Sequence, residues 1–154
     1  MAFSIKFLDE PLVYPFVDPK TPAAPGLLVM GDSRERFCSS LHQWSKEQYE
    51  NQWRQAISSL LGGGAKVALI VEYLSRDIAS KLEWWPMYKQ GEIVYLQNQL
   101  FFYDQVPKPF SLDTPFESLC DRAVVNEKGH RISEWRVSLS EIEQFARTFR
   151  GQRT

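Results

Sequence analysis

Cys38 and His42 are the residues whose types and spacing come nearest to a catalytic or metal-binding pair. Four residues apart, they would share one face of a helix, but a structural zinc site needs four ligands and the sequence has no second Cys/His pair. A thiol nucleophile with His42 or His130 as its base would assemble only in the fold, and no local motif supports it. The sequence therefore predicts no metal site, and a small hydrolase built on Cys38 or His42 remains an alternative.

Acidic residues beside tryptophans are the second feature that could do chemistry. Glu83 precedes Trp84 and Trp85, and Glu134 precedes Trp135. General acid–base catalysis usually needs two carboxylates placed across a pocket, so solvated strand positions explain these acids more simply. Trp84 and Trp85 are adjacent on a predicted strand and must point to opposite faces. One of them is partly exposed unless both faces are covered, and an exposed tryptophan beside an acid is typical of a protein interface.

Composition and charge limit the classes of function. The 154 residues carry 18 Lys and Arg against 19 Asp and Glu, a net charge of −1, and 14% are aromatic. A near-neutral chain lacks the positive excess that attracts nucleic acid or membrane surfaces. No apolar stretch is long enough for a membrane span. Cys38 and Cys120 are expected to be buried free thiols, so we expect a cytoplasmic protein.

Two helices are predicted, and each begins with a capping box. Ser45 and Gln48 satisfy open backbone N–H groups at the start of the first helix, and apolar residues at helical spacing follow. Gly62–Gly64 ends this helix, because glycine accepts the left-handed C-cap conformation. Ser140 and Glu143 predict the same start for a C-terminal helix. The predicted helices cover residues 45–61 and 140–150.

Strands are predicted where apolar residues lie between turn signals. Asp32-Ser33 is the predicted turn of the first hairpin. Pro86 places its strand at a sheet edge or at a bulge, because proline has no N–H to donate. The predicted strands cover residues 26–31, 34–39, 67–74, 81–89, 92–104 and 131–137.

Two stretches are predicted to lack regular structure. Five prolines within residues 10–26 cannot sustain a helix or a central strand. Residues 105–128 are predicted to be a loop with one short helix at 115–122. Residues 1–25 are predicted to form an extended arm over the domain, held by Leu12, Val13, Tyr14 and Phe16.

Three ordered segments share a pattern of aromatic and apolar residues. The first is Leu41-His-Gln-Trp44 with Tyr49 and Trp53. The second is Trp85-x-x-Tyr88, then Val94-Tyr95-Leu96-Gln97-Asn98, Phe102 and Asp104. The third is Ile132-Ser133-Glu134-Trp135, then Leu139, Ile142 and Phe145. From about residue 40 to residue 149, this order and spacing resemble the immunity proteins of bacterial contact-dependent growth inhibition systems.

The length of the chain predicts a single domain over residues 1–154. The resemblance implies an α+β fold with a mainly antiparallel, sandwich-like β core. It implies a protein that is not an enzyme, needs no cofactor or metal, and binds the C-terminal domain of one toxin. In the branch that the sequence most resembles, the toxin is a nuclease acting on ribosomal RNA. Binding would block its active or substrate-docking face. The residues expected to contact the toxin are Glu83, Trp85, Asp104 and Glu134.

A single-stranded nucleic-acid binder is the alternative function. Aromatic side chains on a β-sheet can stack bases, and this function predicts a basic groove beside an exposed Trp or Tyr. The near-neutral charge favours a protein partner over direct binding of nucleic acid.

Overall fold

The computed structural model of the protein describes residues 2–9, 22–105 and 110–151. It contains two helices, α1 (Lys46–Leu61) and α2 (Leu139–Gly151). Its strands are β1 (Phe3–Phe7), β2 (Ala23–Met30), β3 (Ser33–Ser40), β4 (Lys66–Glu72), β5 (Lys81–Gln90), β6 (Ile93–Gln97), β7 (Gln99–Phe102) and β8 (Glu134–Ser138). Within the described ranges, no helix is both long and apolar enough to cross a membrane.

The strands form two antiparallel sheets, which confirms the predicted α+β class. One sheet has the order β1-β2-β3, and the other has the order β4-β5-β6-β8, with β7 also paired to β5. The sheets meet where β3 passes β4. There the Ser39 hydroxyl donates to the Val71 carbonyl, and the Ser40 N–H donates to the Glu72 carboxylate at 3.2 Å.

Side chains from α1 close the outer edge of β4. The Gln52 amide donates to the Ala68 carbonyl and accepts from the Ile70 N–H, both at 2.9 Å. The Trp53 indole donates to the Ile70 carbonyl at 2.7 Å. Gln52 and Trp53 are buried, so the polar groups of this edge are satisfied by side chains rather than by another strand.

The ends of α1 form as predicted. The Gln48 N–H donates to the Ser45 hydroxyl at 3.2 Å, and the Ser45 N–H donates to the Gln48 side chain at 2.9 Å, which confirms the capping box. Gly62 is the C-cap. The Lys89 ammonium donates to the Leu60 carbonyl at 2.7 Å, where a cation complements the helix dipole.

The start of α2 differs from the prediction. The capping pair is Ser138 and Glu141, whose backbone and side-chain groups bond reciprocally at 3.1 Å. Ser140 and Glu143 were the wrong pair. Both pairs have the S-x-x-E pattern, and the earlier one is used because α2 follows β8 with no intervening loop.

The N-terminal region contains strands where the sequence predicted an arm. β1 pairs with β2, and Phe3 and Ile5 alternate inward into the core. Pro25 lies in β2, the central strand of its sheet, and its carbonyl accepts the Leu8 N–H at 2.8 Å. The missing N–H of Pro25 therefore faces the point where β1 ends, so little pairing is lost. The predicted contacts of Leu12, Val13, Tyr14 and Phe16 lie outside the described residues.

The first hairpin turns one residue earlier than predicted. Met30 pairs with Ser33, so the turn consists of Gly31 and Asp32. Gly31 has a φ of 64°, in the left-handed region that glycine adopts without strain.

The strand with Pro86 is central rather than at an edge. β5 pairs with β4 on one side and with β6 and β7 on the other. The pairing with β6 ends at Met87 and the pairing with β7 begins at Trp84, so Pro86 lies in a gap where no N–H is required. The register irregularity in this region is on β4, between Ile70 and Glu72.

The later elements are shorter than predicted. The strand expected over 92–104 divides at Asn98 into β6 and β7. The last strand begins at Glu134 instead of 131, because Arg131 forms only an isolated bridge with Val125. The short helix predicted at 115–122 is a 3-10 turn over Pro115–Ser118.

Candidate functional site

A groove of about 490 Å³ opens where the two sheets diverge, and we call it the inter-sheet groove. The three-stranded sheet contributes two charged residues from β3, and the five-stranded sheet contributes an acid and two tryptophans. Predicted residues Glu83 and Trp85 come together here. The groove is lined by Glu35, Arg36, Glu83, Trp85, Asn98, Asn126, Ile132, Ser133 and Trp135.

Trp84 and Trp85 point to opposite faces of β5, and both are buried. Each face of the sheet is covered, so the condition under which neither tryptophan would be exposed is met. The Trp84 indole donates to the Gln99 side chain at 2.7 Å. The Trp85 indole packs against Trp135 at 5.2 Å between ring centroids. Its N–H is buried and has no hydrogen-bond acceptor among the described residues.

Glu83 is half-buried and lies opposite Glu72 in the β4–β5 ladder. The Asn98 amide donates to the Glu83 carboxylate at 2.8 Å. Burial raises the pKa of Glu72 to about 7, the Ser40 N–H opposes this rise, and the Glu83 charge adds to it. Two neighbouring carboxylates thus give this end of β5 a local acidic character.

A second groove, of about 560 Å³, lies at the other face of β6 and β8, and we call it the arginine groove. The Arg122 guanidinium lies 3.8 Å from the centroid of the Tyr95 ring. The same guanidinium donates to both carboxylate oxygens of Glu134, at 2.6 and 2.8 Å. The groove is lined by Tyr95, Arg122, Val124, Arg131, Ile132, Ser133, Glu134 and Arg136.

Glu134, a predicted contact residue, is engaged within the chain. Besides Arg122, the Gln97 amide donates to it at 2.9 Å. The hydrogen bond from Arg122 is the main reason that the pKa of the Glu134 carboxyl lies below its usual value, and the bond from Gln97 lowers it further. Glu134 therefore fixes Arg122 on Tyr95 rather than presenting a vacant carboxylate to solvent.

The loop over residues 122–133 separates the two grooves, which share Ile132 and Ser133. Its base is tied to the sheet, since Gln97 donates to the Ala123 carbonyl at 2.9 Å. Val124 and Val125 on this loop are 49% and 51% exposed. Exposed apolar side chains between two charged grooves are typical of a surface that meets a protein partner.

Asp104 does not join the other predicted residues. It forms an exposed ion pair with Arg76 at 2.8 Å and lines a separate cavity that shares no residue with either groove. The sequence pattern placed it at the end of a strand but could not show how far that end lies from Trp85.

The structure does not favour the catalytic alternative. Cys38 is half-buried, and burial together with the Glu72 charge raises the pKa of its thiol, which opposes formation of a nucleophilic thiolate. Neither Cys38 nor His42 lines either groove. Cys120 is exposed rather than buried as predicted, and both cysteines are free. In the described part of the chain, no cluster of three or more His, Cys, Asp or Glu could hold a metal ion.

Sequence reasoning missed the residues that the 122–133 loop brings to the site. Arg122 and Val124 lie in a stretch predicted only to be a loop, and Glu35 lies on a strand far from Glu83 in the sequence. One signal was present: Arg122, Arg131 and Arg136 fall close to Glu134. Their meeting with Tyr95 depends on the β6–β8 pairing, which places Tyr95 opposite Arg136.

Comparison with known proteins shows the family of the chain. The sequence model of the CdiI N-terminal domain matches residues 39–145. The immunity protein CdiI of Enterobacter cloacae subsp. cloacae is 26% identical over 121 residues, which are 79% of this chain and 83% of that protein. These matches confirm the resemblance seen in the sequence.

A solved structure shares the fold. It is the CdiA-CT/CdiI toxin and immunity complex from Enterobacter cloacae, and its matching chain superposes with a TM-score of 0.84 at 23% identity. The match covers 97% of this chain and 99% of that chain. The likeness therefore includes β1 to β3, which precede the part of the chain that the resemblance in the sequence covered.

Proposed function

The chain belongs to the CdiI N-terminal domain family, and from this premise we propose that it is an immunity protein that binds and neutralises a toxin. Its partner is the C-terminal toxin domain of a contact-dependent growth inhibition system. It acts in the cytoplasm by covering the active or substrate-docking face of the toxin and carries out no catalysis. The observation that carries the proposal is the family match over residues 39–145.

We place the toxin-binding surface on what we call the open side: the inter-sheet groove, the arginine groove and the 122–133 loop between them. Val124 and Val125 supply apolar contact, and the grooves supply charge on either side of them. Glu83 and Trp85 contact the toxin directly, whereas Glu134 acts by positioning Arg122. Asp104 is a rim charge that assists the encounter of the two proteins.

A nuclease is the toxin class that this surface fits best. Enzymes that act on nucleic acid hold the phosphate backbone with basic residues. The acidic pair Glu35 and Glu83 in the inter-sheet groove can meet such residues. Arg131 and Arg136, in the arginine groove, can meet acidic groups beside them on the same toxin.

Coexpression tests the proposed function. The toxin domain encoded beside this chain is expressed with the wild type, with Glu83→Arg, or with the control Glu143→Arg on the exposed face of α2. We expect the wild type and the control to relieve growth arrest and to co-elute with the toxin on gel filtration, and Glu83→Arg to do so less well. Growth arrest without relief, and no complex with the wild type, would contradict the proposal.

Binding of single-stranded nucleic acid is the second candidate, and the arginine groove beside Tyr95 is the feature that favours it. Arg122 already covers a face of the Tyr95 ring, so a base could stack there only after displacing it. A salt-dependent gel shift with single-stranded oligonucleotides would support this candidate. Absence of binding at low salt would remove it.

A further inference from the structure

The inter-sheet groove has an excess of negative charge. Glu35 on β3 and Glu83 on β5 face it from the two sheets, and Arg36 is the cation among its described lining residues. Such a surface attracts a cationic side chain and repels an anion.

Trp85, which lines this groove, carries a buried hydrogen-bond donor without an acceptor among the described residues. The Trp85 side chain is 4% exposed, and its indole N–H is unpaired among the described residues. A buried N–H that makes no hydrogen bond is unfavourable, because it has lost its bond to water. The adjacent Trp84 shows that the fold can satisfy an indole at this strand, since its N–H is bonded to Gln99.

We propose that the inter-sheet groove receives a lysine or arginine side chain of the toxin, paired with Glu83 and Glu35. A shift of the Trp85 ring on binding then exposes its buried N–H to a carbonyl of the same toxin segment. The proposal rests on the proposed function and names the partner's chemistry at one part of the open side. Trp135 packs against Trp85 with the two ring planes tilted by 54°, and it lines the same groove, where an aromatic ring can pack against a cation.

The matched variants Trp85→Phe and Trp84→Phe test the role of the indole N–H. Both replace an indole with a phenyl ring, so Trp84→Phe is the control for the change in ring size alone. We expect Trp85→Phe to raise the Kd for the purified toxin domain about tenfold. Trp84→Phe should leave Kd unchanged and lower the urea midpoint of unfolding more than Trp85→Phe does, because only Trp84 loses an internal bond.

A second pair of variants tests the charge. Glu83→Gln can still accept the Asn98 amide but lacks the negative charge, and we expect Kd to rise about tenfold. Glu143→Gln, an exposed acid on α2, should leave Kd unchanged. In the complex, the indole ¹⁵N–¹H resonance of Trp85 should shift downfield relative to the free protein, as expected of a newly bonded donor.

The outcomes separate this inference from the proposed function. If the wild type forms no complex with the toxin domain, both are overturned. If the complex forms and neither Trp85→Phe nor Glu83→Gln changes Kd, this inference is overturned and the proposed function stands. Weaker binding by both variants, with unchanged binding by both controls, supports the inference.

Discussion

The β4 edge of the five-stranded sheet and the open side differ in whether their buried polar groups are hydrogen-bonded within the chain. At β4, the side chains of Gln52 and Trp53 bond backbone groups of the edge, and both side chains are buried. At the open side, two grooves flank an exposed loop, and the indole of Trp85 has no acceptor among the described residues. One side is closed within the chain, and the other is suited to a partner.

The difference has a physical cause. An edge strand whose backbone is bonded to side chains of its own chain is protected from pairing with another protein, and losing one of those bonds leaves a buried group unsatisfied. A groove with charges and exposed valines contributes little to folding and much to recognition. Substitutions on the β4 side should therefore change stability, and substitutions on the open side should change affinity.

Gln52→Leu should have the largest effect, on the closed side. It leaves the Ala68 carbonyl and the Ile70 N–H without partners, so the free energy of unfolding should fall by about 2–4 kcal/mol. Urea unfolding measures it, with the exposed Gln55→Leu on the same helix as control. Toxin affinity at low temperature should be unchanged. Equal stability of the two variants would show that the β4 edge is not held as described.

Glu72→Gln should make stability less dependent on pH. Glu72 lies at the end of β4, opposite Glu83 of the inter-sheet groove. The Glu72 pKa is about 7 in the fold against an ordinary value of 4.5, so between these pH values the folded chain holds a proton that the unfolded chain has lost. The stability due to this group therefore falls as pH rises through that window. The variant keeps the acceptor for Ser40, stays neutral, and should be more stable than the wild type at pH 8 by about 1–2 kcal/mol.

Urea unfolding at pH 5 and at pH 8 checks this prediction. The advantage of Glu72→Gln should be small at pH 5 and larger at pH 8, whereas Glu127→Gln, an exposed acid on the 122–133 loop, should show no such trend. A difference that is the same at both pH values would mean that Glu72 does not titrate in this range.

Glu134→Gln should have a smaller effect on stability and a clear effect on binding. It breaks the two-oxygen bond to Arg122, and after screening by solvent the expected loss of stability is about 1 kcal/mol. Affinity for the toxin should fall because Arg122 is no longer held on Tyr95. The control is Asp121→Asn, which breaks an exposed pair with Lys66 and should change neither quantity. If stability falls and toxin affinity is unchanged, Glu134 stabilises the fold and has no role in binding.

Asp104→Asn should have the smallest effect. Its ion pair with Arg76 is solvent-exposed, so stability should change by less than about 0.5 kcal/mol. Stopped-flow association with the toxin domain at low salt should show a change of less than about twofold, confined to the association rate. A large rise in the dissociation rate would place Asp104 inside the interface rather than at its rim.

The sequence was sufficient for the elements that local chemistry determines. The Ser45–Gln48 box starts α1, because the side chain of each residue accepts the backbone N–H of the other within a single turn. The pairing of strands that are distant in the sequence could not be predicted from local residue patterns. Pro25 and Pro86 seemed to exclude central strands, but each lies where its ladder ends or is interrupted, which only the register reveals.

The candidate site was predictable only in part for the same reason. Glu83 and Trp85 are two residues apart on one strand, so their shared face follows from strand geometry. Glu35 reaches the same groove from another sheet, and Arg122 reaches Tyr95 from a loop. Contacts of this kind depend on tertiary packing, which no periodicity in the sequence encodes.

Hydrogen–deuterium exchange of the chain, alone and bound to its toxin domain, tests most directly whether the open side is the binding surface. Exchange should slow in the loop over residues 122–133, most of whose residues are exposed to solvent in the free protein, and should be unchanged in α1. Slower exchange in α1, with no change at residues 122–133, would contradict the assignment of the toxin to the open side.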